Sequence, residues 1–389
     1  VGSALPSGTN TGAVDALLLL TFGGPDGPAD VLPFLRNVTR GRGVPEARIA
    51  QVAEHYHRLG GRSPINDQSR ELLAALRAEL APLPVYWGNR NWEPYLGAAL
   101  AEMRADGVRR AAVFVPSVFA TYSACRQYRE NLADGLAALP AGGPGPELVK
   151  LRVFFDHPGF VEPMVERVEA GIDRLPAGVR DEAHLLFVAH SVPRRQAVES
   201  GPDGGAYPAQ LAAVSRAIAA AVAGRGGREH PWDVAYCSRS GPPTVPWLEP
   251  DVGDQIEQLA AAGARAVVIV PVGFVSDHME VLQDLDRDAL GRAEKVGIGA
   301  VRAGTVGAEP RFVRMVAELL AELLDPDRPR RSWTGLGPFP EVCPTDCCSA
   351  PTVEDRAPAA AGTPADAQGR GRLLARAGRP AAGVGPPPA

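Results

Sequence analysis

One order of elements is written twice along this chain, and that repeat limits the folds open to it. LLLLTFGGP (17–25) aligns with LLFVAHSVP (185–193), and RAAVFVPSVF (110–119) aligns with RAVVIVPVGF (265–274). Each half also carries a Trp, a Glu-Pro and a helical stretch closed by Gly: NWEPYLGAALAEMRADG (91–107) and PWLEPDVGDQIEQLAAAG (246–263). In both, that stretch leads straight into the Arg-Ala-Val run, so one supersecondary unit is used twice. The runs are too apolar for strands with one wet face, and amphipathic stretches such as ELLAALRAEL (71–80) and LAAVSRAIAAAVAG (211–224) separate them. Buried strands alternating with helices predict parallel sheets covered on both faces. The expected fold class is α/β, with two similar doubly wound, Rossmann-like parallel-sheet domains and a cleft between them. We place the first at 14–150 and the second at 151–335, followed by a cysteine-rich segment at 336–349. Residues 1–13 and the Ala/Pro/Gly-rich stretch 350–389 are expected to be disordered, because such composition buries too little apolar surface to fold.

In doubly wound sheets ligands bind outside the carboxyl ends of the strands. The repeat puts Phe22 and His190 at equivalent strand ends there, an aromatic facing an imidazole across a cleft that suits a flat ligand. His190 alone is ambiguous, since a histidine at a turn is as often a core residue bonded to a carbonyl. The segment PVGFVSDHMEVLQDLDRDAL (271–290) is richer. Ser276 or Asp277 is positioned to cap a helix, and Glu280, Asp284 and Asp288 recur every four residues on one helical face. Such a stripe is usually a solvated acidic surface. Here it starts at the end of a buried strand, which makes it a candidate ion path, and imidazole with carboxylates suits Fe2+.

A net charge of −5 gives no basic field for nucleic acid. No apolar run has the length of a membrane span, and VGSALPSGTNTG lacks the marks of a signal peptide, so a cytoplasmic protein is expected. The five cysteines, Cys125, Cys237, Cys343, Cys347 and Cys348, are odd in number, which argues against a disulfide framework. CPTDCC packs Cys343, Cys347 and Cys348 into one short irregular segment, as a soft-metal centre would; zinc is the alternative, and an oxidisable tail the plainer reading.

Taken together, AHSVP and PVGFVSDHMEVLQDLD resemble the two signature regions of the ferrochelatase family. LLLLTFGGP, VTRGRGVP (38–45), YHRLGGRSPIN (56–66), GNRNWEP (88–94), YSACRQYREN (122–131) and SRSGPPTVPWLEPDV (238–252) are similar to that family as well. The resemblance spans about 14–320 and is strongest to the actinobacterial branch. It implies a chelatase-like fold and insertion of Fe2+ into a bent porphyrin. His190 would take pyrrole protons or bind the iron, with Glu280 as its partner and Asp284 and Asp288 as the delivery row. It also implies porphyrin contacts at Phe22, Tyr56, Ser63 and Tyr128; Arg40 and Arg42 are plausible propionate clamps, with a solvated loop the competing reading. Phe22 stands where some bacterial relatives place an iron-contacting Tyr, and phenylalanine cannot ligate. The branch implies coproporphyrin III as substrate, protoporphyrin IX being the alternative, with transient contact to a downstream haem-pathway enzyme conceivable. Some members carry a C-terminal 2Fe-2S cluster, which here would be held by Cys343, Cys347, Cys348 and a fourth ligand, Cys125 rather than Cys237. A sirohydrochlorin chelatase and a non-catalytic porphyrin carrier are the other readings.

Overall fold

The computed structural model describes residues 13–349 apart from 42, 242, 243 and 345. The expectations for residues 1–12, the 350–389 tail and Arg42 lie outside the described residues.

The first half contains β1 (Ala16–Thr21), α1 (Val31–Val38), α2 (Glu46–Arg58), α3 (Ile65–Glu79), β2 (Val85–Asn89), α4 (Leu96–Ala105), β3 (Arg110–Phe114), α5 (Gln127–Ala137) and β4 (Glu147–Lys150). After α6 (Pro158–Arg174) and α7 (Ala177–Arg180), the second half repeats the theme. It runs β5 (Ala183–His190), α8 (Arg194–Val198), α9 (Ala206–Gly226), β6 (Trp232–Cys237), α10 (Val252–Ala261), β7 (Ala266–Val270), α11 (Leu290–Val296), β8 (Gly299–Arg302) and α12 (Pro310–Leu324). Two four-stranded sheets result, ordered β2-β1-β3-β4 and β6-β5-β7-β8. All strand pairs are parallel. The sequence placed the central strands well because β1, β3, β5 and β7 are buried on both faces and read as unbroken apolar runs. It missed β8, whose four residues GAVR are only half-buried at a sheet edge and carry no such run.

The ladders refine the repeat. Thr21 pairs with Asn89 and Ala189 with Tyr236, so Phe22 and His190 are equivalent, as the motifs suggested. The Arg-Ala-Val alignment is displaced by one residue, however. Leu19 pairs with Phe114 while its equivalent, Phe187, pairs with Val270 rather than Ile269. A strand apolar on both faces has no alternation to fix its register, so the sequence could not detect the slip. By the same ladders Lys150 (opposite Val113) is equivalent to Arg302 (opposite Ile269).

The two halves are not separated by solvent. One apolar cluster joins Phe114, Phe154 and Phe312, with ring centroids 5.5–6.0 Å apart, and α12 packs on both α6 and α3. Arg152, Asp156 and Glu322 lie inside this junction, each nearly or fully buried.

Candidate functional site

In both sheets the chain leaves the first strand in one direction and the third in the other, so the crevice lies at the carboxyl ends of β1 and β5. His190 is the last residue of β5. Its Nδ1 meets the Ser191 carbonyl, which directs Nε2 towards the Glu280 Oε2, 3.5 Å away. The buried Tyr207 hydroxyl donates to the His190 carbonyl at 2.6 Å and fixes the strand end. Burial pulls the imidazole towards its neutral form, but the Glu280 carboxylate outweighs it, so the His190 pKa is raised. Burial likewise opposes the Glu280 charge, and the facing imidazole overcomes it, holding that carboxyl down at about 2. With side chains 36% and 47% exposed, both groups remain open to an incoming molecule.

Glu280 leads into a π-helical stretch, Val281–Ala289. Such stretches concentrate at functional sites, and this one keeps the acidic row on one face. Asp284 is held by the Ser238 hydroxyl and is raised to about 6, by burial first and then by the Glu280 and Asp288 charges. Asp288, at the exposed end, accepts two bonds of 3.0 Å from the Gln283 amide. Neither Ser276 nor Asp277 caps this helix. Asp277 accepts instead from Arg302 at 3.1 Å and from Thr305 at 3.2 Å, and the His278 Nδ1 takes the Glu280 N–H at 3.2 Å. The Asp277 N–H crosses to the Gln68 side chain of α3 at 2.9 Å, tying the two walls together.

The opposite wall is aromatic. Phe22, 38% exposed, stands edge-on to Phe34, which also contacts Tyr56 and Trp92 with centroids 6.0–6.4 Å apart. Burial first, then the charges of Glu280 and Asp284, push the Tyr56 phenol upward, which puts Tyr56 within electrostatic reach of the acidic row. Gly23 and Gly24 shape this wall. Gly23 has φ +80°, and a Cβ on either glycine would approach Asn89 or Ser63 and Ile65 to 2.8 Å. The left-handed turn and the close approach require Gly23, and the close approach alone requires Gly24.

A single family accounts for this arrangement: the family model described as Ferrochelatase matches residues 14–324. The chain belongs to the ferrochelatase family. It is 62% identical over 359 residues to the coproporphyrin III ferrochelatase of Frankia alni, covering 92% of each chain. To the protein of that name from Streptomyces coelicolor it is 52% identical over 372 residues, covering 92% of this chain and 98% of that one. To the Mycolicibacterium smegmatis protein of that name it is 52% identical over 321 residues, covering 82% and 92%.

The ferrochelatase crevice thus brings together His190, Glu280, Asp284, Phe22 and Tyr56. Two other residues expected to contact the porphyrin are more deeply buried. Ser63 is buried against the Gly24 turn. Tyr128 is buried in the first half's core, with the Arg90 guanidinium 5.3 Å above its ring. Arg40 is exposed beyond α1. Ser238 and Gln68, which position the acidic row, carried no signal in the sequence; they are ordinary polar residues until the fold aims them. A separate concavity of about 460 Å³, lined by Glu318, Glu322 and Arg331 among others, contains none of the site residues. No helix among the described residues is long and apolar enough to cross a membrane.

The cysteines divide into two groups. Cys237 lies in the second half's core beside Ser238 and Asp284. Cys125, Cys343, Cys347 and Cys348 are all buried within one apolar cluster. Cys347 Sγ is 3.7 Å from Cys348 Sγ, which accepts the Gly201 N–H at 3.1 Å. Burial pushes the Cys125 thiol up, whereas the bond from Cys347, then that from Gly201, favour thiolate at Cys348. All four are thiol donors within one core, and one already accepts a backbone N–H. Among the described residues, however, no three His, Cys, Asp or Glu side chains converge as around a single metal ion.

Proposed function

We propose that the chain inserts Fe2+ into coproporphyrin III, giving iron coproporphyrin III and two protons. The His190–Glu280 pair, facing an aromatic wall, carries this reading. The flat macrocycle lies between Phe22 and His190, with apolar contact on one face and a base on the other. Deprotonated His190 accepts pyrrole protons, and Glu280 stabilises the imidazolium that forms. Asp288, Asp284 and Glu280 form an acidic path along which Fe2+ reaches the ring. The names of relatives at 52–62% identity, each a coproporphyrin III ferrochelatase, support this substrate. The test is anaerobic insertion, followed by absorbance, with coproporphyrin III and protoporphyrin IX in parallel. Faster turnover of coproporphyrin III is expected, and preference for protoporphyrin IX would overturn the substrate assignment.

The proton-acceptor role fixes a pH dependence. Only neutral His190 accepts a proton, and Glu280 raises its pKa, so kcat/KM should climb as pH rises through the titration of the pair. Glu280→Gln removes the anion. Besides slowing insertion, it should move this acid limb to lower pH by about 1–3 units. A limb that stays in place would separate His190 from the step.

For the thiols we propose that Cys125, Cys343, Cys347 and Cys348 hold a 2Fe-2S cluster, with Cys237 excluded by its place in the other core. When bound, such a cluster stores an electron and ties the C-terminal segment to the first half. Anaerobic reconstitution should give iron and acid-labile sulfide in equal amounts, and Cys347→Ser should abolish both. Zinc without sulfide would replace the assignment.

A further inference from the structure

The acidic row is carried on nine residues of π-helix, Val281–Ala289. Such helix occurs mostly as single turns within α-helices, so a stretch of this length needs support from outside itself. The second sheet supplies it from both edges, which in the order β6-β5-β7-β8 are β6 and β8. Ser238, the residue after β6, donates to Asp284. Arg302, the last residue of β8, holds Asp286 through Nε and through Nη2, the latter at 3.0 Å. The same guanidinium reaches Asp277, ahead of the stretch, at 3.1 and 3.4 Å, and the Thr305 hydroxyl adds a bond to Asp277 at 3.2 Å. One planar fork, its side chain 13% exposed, thus joins carboxylates before and within the π-helix. The repeat separates this duty from strand building. Lys150, the first-half equivalent of Arg302, donates to the carbonyl of the next residue, Leu151, at 3.2 Å, and Arg302 makes the matching bond to Ala303 at 3.2 Å. Among the described residues, ion pairs to two carboxylates are added only at Arg302, in the half that carries the acidic row.

From this geometry we infer that Arg302 is a positioning residue for metal delivery. By holding Asp277 and Asp286 it keeps Val281–Ala289 π-helical, and so keeps Glu280, Asp284 and Asp288 in one line. The inference rests on the insertion reading above, in which that row leads Fe2+ to the ring, and adds a residue outside the row on which the row depends. Asp286 lies between Asp284 and Asp288 in sequence, yet it is taken up by the arginine instead of joining the path. Without the fork the stretch relaxes towards ordinary α-helical pairing, and the three carboxylates turn out of line with one another.

The test uses the full chain as wild type, Arg302→Gln and Arg302→Lys. Fe2+ is varied anaerobically at a saturating level of the porphyrin that wild type turns over faster. Arg302→Gln should raise the KM for Fe2+ about tenfold, lower kcat by less than about threefold and leave porphyrin affinity unchanged. The sign separates the explanations. Losing a positive charge beside an acidic path would by itself draw Fe2+ in and lower its KM. A purely structural arginine would lower the urea midpoint and leave both constants alone. Either of those results overturns the inference. Amide hydrogen exchange gives a second readout: residues 281–289 should exchange faster in Arg302→Gln than in wild type. If Arg302→Gln does not fold, Arg302→Lys, which keeps the charge without the fork, takes its place and should raise the KM for Fe2+ about threefold; a wild-type KM overturns the inference. Should wild type insert iron into neither porphyrin, the insertion reading fails by itself. Exchange over 281–289 then decides, and equal rates in variant and wild type overturn the role given to Arg302.

Discussion

His190→Ala should lower Fe2+ insertion by about two to four orders of magnitude, the usual contribution of a positioned acid–base group, while porphyrin binding survives. The substitution removes the imidazole 3.5 Å from Glu280 and leaves that carboxylate with His278, whose Nδ1 is 4.0 Å away. Glu280, held near 2 chiefly by this imidazole, should then titrate upward, because burial, which favours its neutral form, is opposed only by the weaker His278 contribution. The macrocycle contacts on the Phe22 wall are untouched, so fluorescence quenching should report near-normal porphyrin affinity. Binding without turnover locates the loss in the chemical step. Wild-type insertion by the variant would remove His190 from the mechanism, and loss of both binding and insertion would make it a scaffold residue. The same assay on the wild type excludes a passive porphyrin carrier.

The second large effect is expected far from the crevice. Arg152 and Glu322 are 1% and 2% exposed and meet through two bonds of 2.7 and 3.1 Å. Arg152 also donates to the Arg331 carbonyl at 3.1 Å, and its Nη1 lies 3.7 Å from Asp156. Glu322→Ala leaves the buried guanidinium with backbone carbonyls and the more distant Asp156, 3.7 Å away. It should cost about 3–5 kcal/mol of stability, read as a lower urea midpoint at unchanged slope. A loss below about 1 kcal/mol would mean that water or Asp156 compensates and that the junction is looser than its burial implies. Replacing both partners with apolar residues, Arg152→Met with Glu322→Leu, should recover most of the loss. That recovery would mark the pair as a specifier of the junction more than a source of stability.

How much of this was legible in the sequence follows from what each residue depends on. The central strands could be read because burial on both faces leaves a local record, LLLL or VVIV. His190 and Glu280 could be read because motif and strand end coincide. β8 and the one-residue slip could not, since edge exposure and register are properties of pairs of strands. Ser63 against Gly24 and Tyr128 under Arg90 are neighbours that only the fold reveals, since each pair lies far apart in the chain. The cap expected at Ser276 or Asp277 gave way to a stronger competitor, the Arg302 guanidinium.

The helix Pro310–Leu324 belongs to the far end of the chain, yet it lies against α3 near the beginning. A growing polypeptide therefore cannot finish its opening half first and its closing half second. Until that last helix emerges, Phe114 and Phe154 lack Phe312, and an oily face stays uncovered. The pattern looks modular in the sequence, but assembly must be a single late event. A nascent chain stalled before residue 310 should depend on chaperones in a way the released protein does not.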